Sequence, residues 1–216
     1  MKTAPLLLLL LLDAVLGGPR QARVTFIPLS KVAYLQARKD LAITKPNHTH
    51  PVKKQAGRLV IPTIAGPKVL ADVVIDAAAL ATGHREAEAV QYNYVGYFPI
   101  FNNHLIRVQY YEFAKWLLID NSGRQLSLWG EPIFSPDQHR IFAICEGLEA
   151  GKGRPNSLQM LEMQNGALRE VWSQKPKKWR PYRAYWASPQ SLLLVREMWT
   201  GKIPSDTYTY AKLLIQ

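Results

Sequence analysis

EPIFSPDQHRIFAIC, residues 131–145, decides the fold. Two short apolar runs, Ile133-Phe134 and Ile141-Phe142-Ala143-Ile144, flank Ser135-Pro136-Asp137. Proline presets the backbone angle of a turn, and short polar side chains such as Ser and Asp bond to turn backbone. The stretch therefore reads as two β-strands joined by a tight connection.

The same order recurs on both sides of it. Runs at 98–102 (FPIFN) and 184–188 (AYWAS) each precede a turn, as residues 131–135 do. Each turn leads into an apolar strand: HLIRVQYYE, RIFAICEGL and LLLVREMWT. A third strand follows in every case: KWLLIDNSG, LQMLEMQNG and YTYAKLLIQ. In the first two units a fourth strand ends alike, at Leu128-Trp129-Gly130 and Val171-Trp172-Ser173. Spacing between Asn102, Ser135 and Ser188 is uneven, and the excess falls in connections, as expected for one supersecondary unit with variable loops. Asn165-Gly166 is the strongest hairpin signal, because a type I′ turn needs positive φ at both positions.

A strand, Ser-Pro-Asp, a second strand, a third ending in Asn-Gly and a fourth ending in Trp resembles the blades of WD40-like and TolB-like β-propellers. In those, a W-SPDG-I-F pattern marks the first hairpin. The likeness covers residues 97–216 and is closest in PIFSPDQHRIFAI and YWASPQSLLLV. The order YxYxGY…YYE…LID…SG…FSPD is also similar to uncharacterised exported bacterial proteins. The chain departs from the blade pattern at Gln138, where the usual residue is glycine, and lacks the Trp-Asp dipeptide. Three units are visible, whereas propellers have about four to eight blades. The resemblance implies an all-β fold of antiparallel four-stranded, blade-like repeats, β-propeller-like but small, incomplete or open. Residues 23–97 would then supply a degenerate fourth unit, including the strand missing after Gln216.

Composition agrees with an ordered chain: 48% of the 216 residues are hydrophobic and 20% charged, which excludes disorder. The net charge of +11 favours anionic partners. The single cysteine, Cys145, excludes an internal disulfide and a cysteine-based metal site. At the N-terminus a short basic start precedes an apolar run at 4–12, broken by Asp13 and followed by small residues. That length suits a signal-peptide core and is too short to span a bilayer, so residues 1–18 read as a signal peptide and the mature chain as exported, periplasmic or extracellular, without a transmembrane span. Residues 19–58 follow as a basic, irregular segment in which VTFIPL and KVAYLQA read as short strands. Residues 59–216 form a single domain. Within it GRLVIPT and KVLADVVID are strands, and AAALATGHREAEA holds at most a short helix.

Catalytic chemistry finds little purchase. Ser135, Asp137 and His139 have the residue types of a triad, yet sit within one turn rather than converging from separate elements. His48 and His50, and His84 with Glu86 and Glu88, lack the spacing of a metal site. Glu112, Asp120, Glu146 and Glu149 are available carboxylates, and Glu112 and Glu146 occupy equivalent places at the ends of second strands. GLEAGKGRP lacks the Lys-Ser/Thr ending and strand-to-helix setting of a phosphate loop, so no cofactor is expected. The most suggestive patch is QKPKKWRPYRAYW, where Lys175, Lys177, Lys178, Arg180 and Arg183 interleave with Trp179, Tyr182, Tyr185 and Trp186. Basic groups among aromatics suit a polyanion. For an exported chain the expected partner is a protein, an anionic envelope polymer or a lipid surface rather than nucleic acid. Lys175, Lys177, Lys178, Trp179, Arg180 and Arg183 are the candidate ligand-binding residues. The expected function is non-enzymatic binding or scaffolding at the bacterial envelope. The alternative is a hydrolase whose carboxylates converge on one rim of the sheets.

Overall fold

Alternating and continuous apolar runs separated by turn residues fold into antiparallel strands in a computed structural model that describes residues 21–147, 154–201 and 205–216. The N-terminal part holds strand β1 (Val24–Leu29), helix α1 (Lys31–Arg38), strands β2 (Arg58–Ile61) and β3 (Lys68–Ala71), and helix α2 (Ala77–Ala81). Sheet I then runs β4 (Val90–Phe98), β5 (Asn103–Tyr110), β6 (Ala114–Asp120) and β7 (Gln125–Leu128). Sheet II runs β8 (Ile133–Phe134), β9 (Arg140–Cys145), β10 (Ser157–Gln164) and β11 (Ala167–Gln174). Sheet III contains β12 (Trp179–Ser188), β13 (Ser191–Met198) and β14 (Tyr208–Ile215), with β1 as its outermost strand. The fold is all-β: three four-stranded antiparallel sheets and the β2–β3 hairpin. Residues 1–18, read as a signal peptide, lie outside the described residues.

The residues 131–145 join β8 to β9 as expected, with Phe134 opposite Ile141. Asn165 and Gly166 both have positive φ, 52° and 74°, and link β10 to β11 in the two-residue turn that their identities require. Sheet III takes its fourth strand from the start of the chain. Val24 pairs with Ile215 and Leu29 with Tyr210, and Arg23 and Gln216 exchange backbone hydrogen bonds of 3.0 and 2.9 Å.

The N-terminal segment therefore differs from its reading as irregular and separate from a domain starting at residue 59. VTFIPL is the edge strand of sheet III, and KVAYLQA is helical rather than extended. Ser30 is the reason for the helix: its side chain accepts from the Ala33 amide at 3.1 Å and caps the first turn. Tyr34 then lies 3% exposed, among Leu193, Val195 and Tyr210 on the outer face of sheet III.

Sheets stack face to face, which explains the continuous apolar runs. Along β13, Leu192 and Leu194 face sheet II, while Leu193 and Val195 face α1. Along β5, Leu105 faces sheet II and Ile106 faces the β2–β3 hairpin, where Leu59 and Ile61 are fully buried. A strand buried on both faces needs apolar residues at every position. Polar groups tie neighbouring sheets together. Trp186 Nε1 donates to the Ile133 carbonyl at 2.9 Å, Arg140 Nη1 to Pro189 at 2.9 Å, and Arg124 Nη2 to Leu168 at 2.6 Å.

Between α1 and β2, residues 39–57 run as a strap beside the first strand of each sheet. Thr44 bridges to Phe134 of β8, and Thr49 bridges to Tyr97 of β4 through bonds of 2.9 and 2.8 Å. Lys54 then donates to the Tyr92 carbonyl at 2.9 Å and pairs with Asp72. Gly96, at a bulge in β4, makes the strap's close approach feasible: a Cβ there would stand 2.7 Å from His48 Cδ2.

Candidate functional site: a basic groove and an acidic cleft

Helix α1 and the strap leave a groove where they meet the first strands of sheets III and II. It consists of two contiguous pockets, about 330 and 430 Å³, that share Ile43 and Tyr185. Arg38 and Lys39 enter from the end of α1, and Arg183 enters from β12. The Arg38 guanidinium lies 4.3 Å above the Tyr185 ring, and that of Arg183 lies 5.1 Å from the Tyr182 ring. Each guanidinium is thus held against tyrosine, and Arg183 also hydrogen-bonds the Tyr185 and Tyr182 side chains. The floor is apolar, formed by Ile133, Phe134, Ile144 and Ala184, with Glu131 at one end.

Of the residues read as ligand-binding, only part faces solvent. Lys175, Lys177 and Lys178 are exposed in the connection before β12, and Arg183 is exposed on that strand. Trp179 and Arg180 are not available, because the strand begins at Trp179 rather than beyond the basic loop. Trp179 packs edge-on against Phe26 at 6.2 Å, with Arg196 5.5 Å from its ring. Arg180 donates to Glu197 at 2.7 and 2.8 Å and stands 3.7 Å from Glu146. Glu197 is 1% exposed and also accepts from the Ser205 amide at 2.7 Å, so Arg180 neutralises a buried carboxylate. Strand alternation sends Trp179 and Arg180, successive residues of β12, to opposite faces, where Phe26 and Glu197 hold them.

A second concavity, about 520 Å³, lies between sheets I and II. Glu112, Glu131 and Glu146 line it together with Arg107 and Arg154. Thus two of the carboxylates read from equivalent strand ends do come together, and Glu131 joins them. Burial pushes the Glu146 carboxyl above its ordinary range, against the attraction of Arg180. Cys145 also borders this cleft, its thiol pushed up by burial and thus protonated at neutral pH. Asp120 stays apart. Its Oδ1 accepts from the Ser122 amide, the Ser122 hydroxyl and the Arg124 amide at 2.9, 2.6 and 3.0 Å, and its Oδ2 from Arg124 Nε at 3.0 Å. Burial alone would raise this carboxyl, but those bonds prevail and hold it below the usual range. Glu149 lies outside the described residues.

The Ser-Asp-His cluster is spent on its turn. Ser135 is fully buried, donates to Asp137 Oδ1 at 2.5 Å and accepts from the Arg140 amide at 2.9 Å. The His139 imidazole reaches Glu162, 3.8 Å away, and it is the His139 amide that donates to the serine hydroxyl, at 3.2 Å. His48 stacks on Phe98 at 5.1 Å, and His84 bonds to Glu88 at 2.9 Å. Among the described residues, no three His, Cys, Asp or Glu side chains gather to hold a metal ion. No described helix is long and apolar enough to cross a membrane.

Arg38, Lys39 and Glu131 were missed as site residues by sequence reasoning. Nothing in the sequence joins Arg38 to Arg183, because the strap and sheet III bring them together only in three dimensions. No family model, curated protein or solved structure matches the chain.

Proposed function

We propose that the chain is an exported, non-enzymatic binding protein of propeller-like blades, which engages an anionic partner through the groove beside α1. The observation that carries this reading is the convergence of Arg38, Lys39 and Arg183 on an apolar, tyrosine-walled groove. The blade reading draws support from three four-stranded meanders packed face to face, the last completed by the N-terminal strand. Export draws support from the leader pattern at 1–18. The overall charge of +11 adds long-range attraction to the same class of partner.

Retention on immobilised dextran sulfate at low ionic strength tests it. Arg38→Glu with Arg183→Glu is expected to weaken binding at least tenfold, at about 1 kcal/mol or more for each reversed charge. Replacing Lys175, Lys177 and Lys178 by Glu reports the share of the exposed loop. Loss in the loop variant with full retention in the groove variant would overturn the assignment to the groove.

A second reading, a hydrolase, is favoured by the shared cleft of Glu112, Glu131 and Glu146 and by the raised Glu146 carboxyl, a property that suits a general acid. Turnover of glycoside or ester substrates that Glu146→Gln abolishes would support it.

A further inference from the structure

We infer that the anionic partner of the basic groove is a lipid bilayer, and that α1 and the start of the strap dock on it by inserting apolar side chains. This inference rests on the groove reading above and names the partner of that site. Helix α1 is unusual in what it leaves uncovered. Of its eight residues only Tyr34 is buried, and all the others are exposed. Val32 and Leu35 stand one turn apart, 77% and 51% exposed, and Ile43 of the strap is 71% exposed. Single exposed apolar residues need no explanation, but Leu35 and Ile43 line one groove and Val32 stands a turn before Leu35 on the same helix.

Cations surround them: Lys31, Arg38 and Lys39 on and just after the helix, Lys45 on the strap, and Arg183 on β12. Among the described residues, none of these five forms an ion pair. Asp40 and Glu131 are the acidic groups beside them, so the surface carries a clear positive excess. Apolar side chains ringed by Lys and Arg on a short helix match an interface whose headgroups are anionic and whose acyl region begins just beneath. A soluble polyanion would use the cations and leave Val32, Leu35 and Ile43 in water. An acidic protein segment would have to cover the same apolar side chains with a complementary face.

The test is co-sedimentation of the full chain with phosphatidylglycerol–phosphatidylcholine vesicles and with pure phosphatidylcholine vesicles, with soluble dextran sulfate as a parallel arm. Binding to the anionic vesicles only is expected. Arg38→Glu with Lys39→Glu should weaken it roughly twenty-five-fold, at about fivefold per cation. Leu35→Ser with Ile43→Ser should weaken vesicle binding by about tenfold or more, a far larger loss than dextran sulfate binding suffers. Both pairs are exposed, and unchanged thermal melts would exclude misfolding as the cause. Vesicle binding that survives the Leu35/Ile43 change would overturn insertion. Dextran sulfate binding without vesicle binding would overturn the bilayer and leave the groove reading standing. Binding to neither would overturn both.

Discussion

Gly130→Ala tests how tightly sheets I and II are joined. Gly130 follows β7 and precedes β8, and its φ is not in the left-handed region, so its need for glycine is purely one of space. A Cβ there would lie 1.8 Å from the Ile144 carbonyl oxygen and 2.7 Å from its carbon. An ordinary approach is about 3.5–4.0 Å, so roughly 2 Å of movement is required between the link and β9. Strand β9 cannot yield easily, because Ile144 pairs with Leu158 on β10, and Phe142 two residues earlier pairs with both Met160 and Ile133. Overpacking of about 2–3 kcal/mol together with about one lost ladder bond amounts to roughly 3–4 kcal/mol. In a chain of this size that lowers the melting temperature by roughly 10 °C. Thermal unfolding followed by circular dichroism is the assay, with Gly166→Ala as the comparison. Gly166 has open space around it but φ of +74°, so alanine there costs only about 1 kcal/mol of backbone strain. A Gly130→Ala protein that melts no lower than Gly166→Ala would refute the argument from close approach.

Two further outcomes follow from buried polar groups. The Asp120 carboxyl is held below its unfolded value, so its stabilisation is complete above about pH 4 and is lost as pH falls through the folded value. Asp120→Asn should therefore cost about 2 kcal/mol at neutral pH, and urea titrations of the two proteins should converge in acid. Trp186→Phe removes the indole bond to Ile133 and part of the wall against Phe142, 6.4 Å away, and should cost about 2–3 kcal/mol in the same assay.

Much of the sheet order is legible in the chain because turn chemistry and apolar spacing agree. Asn165-Gly166 and Ser135-Pro136-Asp137 each dictate a local backbone, and the strands on either side of each turn pair across it. KVAYLQA reads as a short strand, yet it folds as α1. Ser30 decides for the helix through one capping bond. KPKKWRP reads as a loop because of its prolines, yet Pro181 lies inside β12. An edge strand can accommodate it, since one of its sides needs no ladder donor. The cleft carboxylates illustrate the harder case. Glu112 and Glu146 repeat at equivalent strand ends, a visible regularity, but Glu131 comes from the connection between sheets, and its counterparts in the repeat are Phe98 and Ala184 rather than carboxylates. Exposure was equally hidden: Trp179 and Arg180 look like neighbours of Lys178 in the sequence, and the strand turns them into core and ion pair.

The pairing of β1 with β14 has a kinetic consequence. Val24 and Ile215 are separated by most of the chain, so joining them closes a loop of roughly two hundred residues, among the slowest events topology allows. Until then β14 presents an unpaired edge from Tyr210 to Ile215, a template for any extended segment of suitable pattern. A free peptide of sequence VTFIPL is the natural competitor for that edge. Donor-strand exchange between two molecules follows from the same geometry, with each lending its first strand to the other.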